Sequence, residues 1–137
     1  MKNSPLKILI VDDEPLLREL LLEGLPEFLG EYDVRIVTCG NAEEAIPIFH
    51  RAKYLQNPFD VVITDNNMGK ISGVKLAELI KCESQDTVVI IVTGAANEIT
   101  DHLADEVLEK PVPMATIAKT ITDLLSANAE SSQGRRK

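Results

Sequence analysis

Two hydrophobic patterns alternate along this chain. One consists of short continuous apolar runs, such as Ile8-Leu9-Ile10-Val11 within Lys7 to Val11, Val61-Val62-Ile63-Thr64, and Thr87 to Val92. Runs of this length without polar interruption suit strands buried on both faces, as in a parallel sheet. Val34 to Cys39 and the short pair Val107-Leu108 read as two further strands. In the other pattern, apolar residues recur at steps of three and four, as expected of amphipathic helices. After Pro15, Leu16, Leu17, Leu20, Leu21, Leu22, Leu25 and Phe28 form such a series, with Asp13 or Glu14 near its start and Gly30 as a stop. Asn41 is placed to cap a second helix carrying Ala42, Ala45, Ile46, Phe49 and Ala52, in which Pro47 predicts a kink or an interruption. Gly73 to Cys82 predicts a third helix with Val74, Ala77, Leu79 and Ile80 inward. Asn97 to Leu103 is polar and weakly patterned, which predicts a marginal, mobile fourth helix. Pro113 opens a fifth, lined by Ile117, Ala118, Ile121, Leu124 and Leu125.

Five strands alternating with five helices predict an α/β fold, a doubly wound five-stranded parallel sheet, because parallel neighbours require right-handed crossovers. The 137 residues, 45% of them apolar, suffice for one domain with a substantial core. The domain is assigned to residues 1–125. Residues 126–137 have almost no large apolar side chains and read as a disordered tail, with no output domain following.

Composition narrows the functional classes. A net charge of −8 argues against direct nucleic-acid binding, which demands a basic face. Met1 to Pro5 lacks a signal-peptide core, and no apolar run approaches the roughly 20 residues of a membrane span, so a soluble, cytoplasmic protein without membrane contact is expected. Cys39 and Cys82 are far apart and lack nearby metal-ligand spacing, so both read as free thiols.

The polar residues that interrupt the pattern carry the chemistry. Asp12 and Asp13 end the first strand, Asp65 the third, Thr93 the fourth and Lys110 the fifth. In a parallel sheet these ends share one edge, where ligands bind. Three carboxylates there would repel one another unless a cation sat among them, and oxygen donors with room for water suit Mg²⁺. Asn66, Asn67, Gly69, Ser72 and Gly73 favour a turn beside Asp65, which makes Asp65 the candidate nucleophile for a phosphoryl group.

With these residues in order over roughly Leu6 to Leu125, the chain resembles the receiver domains of response regulators in two-component signalling, including the single-domain chemotaxis type. The resemblance implies the flavodoxin-like strand order 2-1-3-4-5 and a domain that is not an enzyme beyond self-phosphorylation and slow self-dephosphorylation. It implies Mg²⁺ held by Asp12, Asp13, Asp65 and the backbone carbonyl of Asn67, with Asp65 as phosphoacceptor. Thr93 and Lys110 would bind the phosphoryl group, with Lys110 preceding a commonly cis proline. The implied donor is a phosphohistidine on a sensor histidine kinase or a histidine phosphotransfer protein. The implied output passes to a downstream protein of unstated identity or onward by phosphotransfer. Its face would be the fourth helix, fifth strand and fifth helix; phosphorylation-dependent homodimerisation there is common among relatives.

Three positions depart from the family pattern. Gly69 stands where proline is usual, which predicts a more flexible loop. Val107 is an atypical switch residue, since the family usually carries a tyrosine or phenylalanine there. Ala95 offers no polar group to orient an attacking water, which points to a long-lived phosphoryl state.

Each residue also has an ordinary explanation: Asp12 and Asp13 as helix caps, Asp65 as a turn former, Thr93-Gly94 as a strand exit, Lys110-Pro111 as a loop. Their joint occurrence at successive strand ends favours the site. An aspartyl-phosphate phosphatase would usually put its nucleophile after the first strand with a second acid two residues on; Asp12 is followed there by Glu14 rather than aspartate, which disfavours it. A flavin site would want a Gly- or Ser/Thr-rich loop where Asp12-Asp13-Glu14 stands, and a phosphate-independent docking module would show an incomplete acidic set. His50 and His102 lack partners in the pattern and read as surface residues. Gly134-Arg135-Arg136-Lys137 reads as a basic recognition end, as a solubilising end or as the start of a linker to a larger chain.

Overall fold

The computed structural model describes residues 5–135. Its elements are β1 (Leu6–Val11), α1 (Pro15–Phe28), β2 (Val34–Cys39), α2 (Ala42–Tyr54), β3 (Val61–Thr64), α3 (Gly73–Glu83), β4 (Val88–Thr93), a 3-10 turn (Ala96–Glu98), β5 (Glu106–Glu109) and α4 (Met114–Arg135). The sheet is parallel throughout, in the order β2-β1-β3-β4-β5. The doubly wound arrangement and strand order are therefore as expected.

The two-residue period of the strands sorts their side chains into two cores. Leu9, Val11, Val62, Val89 and Ile91 point to the layer of α2 and α3, where they meet Phe49, Leu76 and Ile80. Ile8, Ile10, Ile63, Ile90 and Val92 point to α1 and α4, where they meet Leu21, Leu25, Ile117 and Ile121. Central strands β3 and β4 are buried at every position, whereas the edge strands β2 and β5 are only partly covered. Continuous apolar runs belong to the centre of such a sheet.

Several expectations about helices are corrected. Among the described residues there are four helices and one 3-10 turn, not five helices. Asn97 to Leu103 contributes only the end of that turn, since Asn97, Thr100 and Asp101 are poor helix formers and only Ile99 and Ala104 pack on the core. The expected fifth helix is thus α4. It does not end near Leu125: the presumed tail is helical through Arg135, and residues 136 and 137 lie outside the described residues. Ala127, Ala129 and Glu130 extend an established helix at little cost, and Asn128 Nδ2 donates to the Asp86 carbonyl at 2.9 Å. Pro47 sits inside α2, which is one uninterrupted helix. In α3 the inward residues are Gly73, Leu76, Ala77 and Ile80, while Leu79 faces solvent. In α1 only Leu21 and Leu25 are buried, and Leu16, Leu20, Leu22 and Phe28 are exposed.

Helix starts near the site are well determined. Asn41 Oδ1 accepts the Glu44 N–H at 2.9 Å, and Ser72 Oγ accepts the Lys75 N–H at 3.1 Å. No helix among the described residues is long and apolar enough to cross a membrane.

Candidate functional site

The carboxyl ends of β1, β3, β4 and β5 bring most of the predicted residues to one edge. One carboxylate oxygen from each of Asp12, Asp13 and Asp65 lies within 4.8 Å of the other two. Asp12 is buried, Asp65 half-buried and Asp13 exposed, so the cluster opens to water on one side. Lys110 Nζ reaches over it, 3.3 Å from Asp12 Oδ2, 3.7 Å from Asp65 Oδ2 and 3.8 Å from Glu14 Oε1. One ammonium thus faces several carboxylates, and the excess negative charge suits a hard divalent cation bound by oxygen. The donor set fits Mg²⁺.

Burial is the main influence on the Asp65 carboxyl and pushes its pKa above the ordinary range. The Asn66 N–H and Lys110 pull it back, and the charges of Asp12 and Asp13 push it up again. The Asn66 N–H donates to Asp65 Oδ1 at 2.7 Å, which leaves the other oxygen toward Lys110. A cavity of about 470 Å³ opens beside Asp65, between α1 and α4. Leu17, Leu21, Ile63, Val92 and Met114 line it, and Asp12, Asp65 and Lys110 stand at its rim.

The loop after β3 is built around close backbone approach. A methyl group on Gly73 would lie 2.3 Å from the Asp65 carbonyl oxygen. Gly73 N–H donates to the Asn66 carbonyl, and Asn66 Oδ1 accepts the Val74 N–H, both at 3.0 Å. Met68 is buried in the α2/α3 core, whereas Asn67 is exposed. Gly69 has φ of 132°, a backbone region that favours glycine.

Thr93 is buried, and its Oγ1 accepts the Ala95 N–H at 3.3 Å. Lys110 N–H donates to the Thr93 carbonyl at 2.8 Å, which aligns β5 with β4 at their exits, and the Lys110-Pro111 peptide is cis. Val107 is half-buried and packs against the α2/α3 core. Ala96 N–H donates to Glu109 Oε1 at 3.1 Å and Lys81 Nζ lies 2.7 Å from Asp105 Oδ2, so the connection between β4 and β5 is held without a helix.

Sequence reasoning missed some neighbours. Arg18 Nη1 donates to the Asp12 carbonyl at 2.6 Å; one helical turn into α1, its side chain leans back toward the helix start, and that geometry was the available signal. Glu14, at the start of α1, also stands beside Lys110, a long-range pairing that leaves no local signal. The two cysteines remain thiols, and burial pushes Cys39 up to about 11, with Glu44 adding to it. His50 is exposed and lies 2.7 Å from Glu83 Oε2; His102 is also exposed.

Residues 8–122 match the sequence profile described as "Response regulator receiver domain". The chain belongs to that family. It is 37% identical over 123 residues to an uncharacterised response regulatory protein of Yersinia pestis, covering 87% of this chain and 48% of the relative. The chain thus spans about half the length of the curated relatives it matches. The crystal structure of the response regulator TrrA of Thermotoga maritima in complex with Mg²⁺-BeF is similar at a TM-score of 0.69 and 34% identity, over 87% of this chain and 98% of that one. TrrA in complex with the histidine kinase ThkA superposes with a TM-score of 0.67 at 34% identity, over 87% and 97%. The chain is thus a receiver domain of two-component response regulators.

Proposed function

We propose that Asp65 accepts a phosphoryl group from a phosphohistidine of a sensor kinase or histidine phosphotransfer protein. The observation that carries this reading is the convergence of the Asp12, Asp13 and Asp65 oxygens within 4.8 Å, with Lys110 Nζ 3.7 Å from Asp65. Phosphoryl transfer needs an aligned nucleophile and compensation for charge on the transferring oxygens, and little other covalent help. The free Asp65 oxygen attacks phosphorus, the P–N bond breaks, and the imidazole nitrogen leaves with the electron pair.

Asp12, Asp13, Asp65 and the Asn67 backbone carbonyl would hold Mg²⁺, which supplies positive charge for the phosphoryl oxygens. Lys110 pairs with another oxygen of the aspartyl phosphate. Thr93 Oγ1 already accepts the Ala95 N–H, so its own hydrogen is available to the phosphoryl group. Engagement of that hydroxyl would alter the Gly94–Asp105 connection, which carries the signal to a downstream protein. Val107 has no ring to swing, which favours signalling through this connection or onward phosphotransfer. Leu16 and Leu20 stand 67% and 51% exposed on α1, and Leu20 lines the cavity beside Asp65. That apolar patch supports docking of the donor's helices on α1.

Intact-protein mass tests the reading after incubation with acetyl phosphate or phosphoramidate, with Mg²⁺ or with EDTA. One phosphoryl adduct is expected, dependent on Mg²⁺ and absent from Asp65→Asn. No adduct under any condition would overturn phosphoacceptance and favour a phosphate-independent docking module.

A further inference from the structure

Gly69 removes the stiffness that proline would give the loop after β3, yet this loop must present the Asn67 carbonyl in one place. Local bonds secure its ends: Asn66 is tied to Val74, and Ser72 caps Lys75. Between them, Met68 anchors one side by burial. The other tether comes from 27 residues away in sequence, where Glu43 Oε2 on α2 accepts the Lys70 N–H at 3.1 Å. A methyl group on Gly69 would lie 3.6 Å from Glu43 Oε1, so the carboxylate rests against both residues. Glu43 is not occupied in capping its own helix, because Asn41 does that through Glu44. As the second residue of α2, its negative charge is also favoured by the helix dipole.

We infer that Glu43 is a positioning residue for the metal-binding loop: by fixing the Lys70 amide it fixes the backbone that presents the Asn67 carbonyl. The inference rests on the phosphoacceptor reading for its metal and adds a residue outside the strand-end constellation. Glycine gives the loop the conformation at residue 69, and the carboxylate supplies the restraint that glycine cannot.

The test compares the full chain with Glu43→Ala and Glu43→Gln, reading Mg²⁺ affinity by calorimetry without any phosphodonor and amide hydrogen exchange at Lys70 without Mg²⁺. Glutamine keeps an acceptor of the same reach but removes the charge. Glu43→Ala should bind Mg²⁺ about two- to tenfold more weakly, as for one net hydrogen bond, and exchange Lys70 faster. Glu43→Gln should stay close to wild type in both. Equal loss in both variants would overturn positioning in favour of simple charge attraction. Unchanged affinity in Glu43→Ala, or unchanged Lys70 exchange, would also overturn it. The phosphoacceptor reading fails separately, if the wild type binds no Mg²⁺ or Asp12→Asn binds it equally well; the inference would then fall as a metal-site role, while Lys70 exchange would still report the tether.

Discussion

Replacing Gly73 with alanine should damage stability and phosphoacceptance together. The added methyl would meet the Asp65 carbonyl oxygen at 2.3 Å, and Asn66 Cα and Asp65 C at 3.0 and 3.1 Å. Ordinary contact is about 3.5 Å, so the loop must retreat by roughly 1 Å, and all three obstacles are backbone atoms. Overpacking of this kind costs about 1–3 kcal/mol, against which alanine in a helix recovers at most about 1 kcal/mol. A net loss of about 1–2 kcal/mol corresponds to a fall in melting temperature of about 3–8 °C for a domain of this size. Because the displaced atoms belong to Asp65 and its neighbour, labelling by acetyl phosphate should slow by about tenfold or more, even where the protein remains folded. Circular dichroism melting and the initial rate of adduct formation measure the two effects. Gly30→Ala is the control: its methyl would meet only the Glu27 carbonyl at 3.8 Å, and stability should hold or rise by about 0.5 kcal/mol. A Gly73→Ala protein that melts at or above wild type and labels at the wild-type rate would refute the reasoning.

Three further outcomes follow from the geometry. Burial raises the folded-state pKa of Asp65, so its ionised form opposes folding fully above that raised value, and the cost fades as pH falls from there to the ordinary carboxylate range. In EDTA, Asp65→Asn should therefore melt higher than wild type at neutral pH, with the gap closing on acidification; a gap independent of pH would contradict this. Lys81 pairs with Asp105 at 2.7 Å and also donates to the Thr87 carbonyl, both in partly buried positions, so Lys81→Met should cost about 1–3 kcal/mol in denaturant unfolding. An unchanged midpoint would show that the pair contributes nothing. Leu20→Ser should weaken transfer from a phosphohistidine donor by about fivefold or more, while labelling by acetyl phosphate changes far less. Equal loss with both donors would place the effect in the acceptor chemistry instead of docking.

The sequence was most legible where burial leaves it no alternative. Ile8 to Val11 and Val61 to Thr64 are covered on both faces, so nothing polar interrupts them until the strand reaches the edge. That interruption is what exposes Asp12, Asp65 and Lys110 to inspection, since parallel strands end on one side. Helical periodicity is weaker evidence, because a stripe of leucines can be wider than the core that receives it. In α1 the pattern could not separate Leu21 and Leu25, which are buried, from Leu16 and Leu20, which are exposed, Leu20 lining the cavity beside Asp65. Likewise, α3 offers both Leu76 and Leu79 at acceptable spacing, and the sheet below decides for Leu76. The end of α4 is hard to read for a different reason: lack of large apolar residues removes a packing force but does not stop an established helix from propagating.

Gly69 gives the most instructive discrepancy between local and tertiary information. Read alone, glycine in place of proline means a looser loop, because it widens the conformations open to the unfolded chain. Its consequence in the folded chain depends on partners that local sequence does not reveal. Burial of Met68 in the α2/α3 core and the Glu43 carboxylate on the Lys70 amide restrain that same loop from its two sides. A backbone N–H whose acceptor is 27 residues away leaves no periodic signal, and Glu43 by itself reads as one of several exposed acids at the start of a helix. The restraint on the loop after β3 therefore includes contacts from α2 that the glycine alone does not reveal.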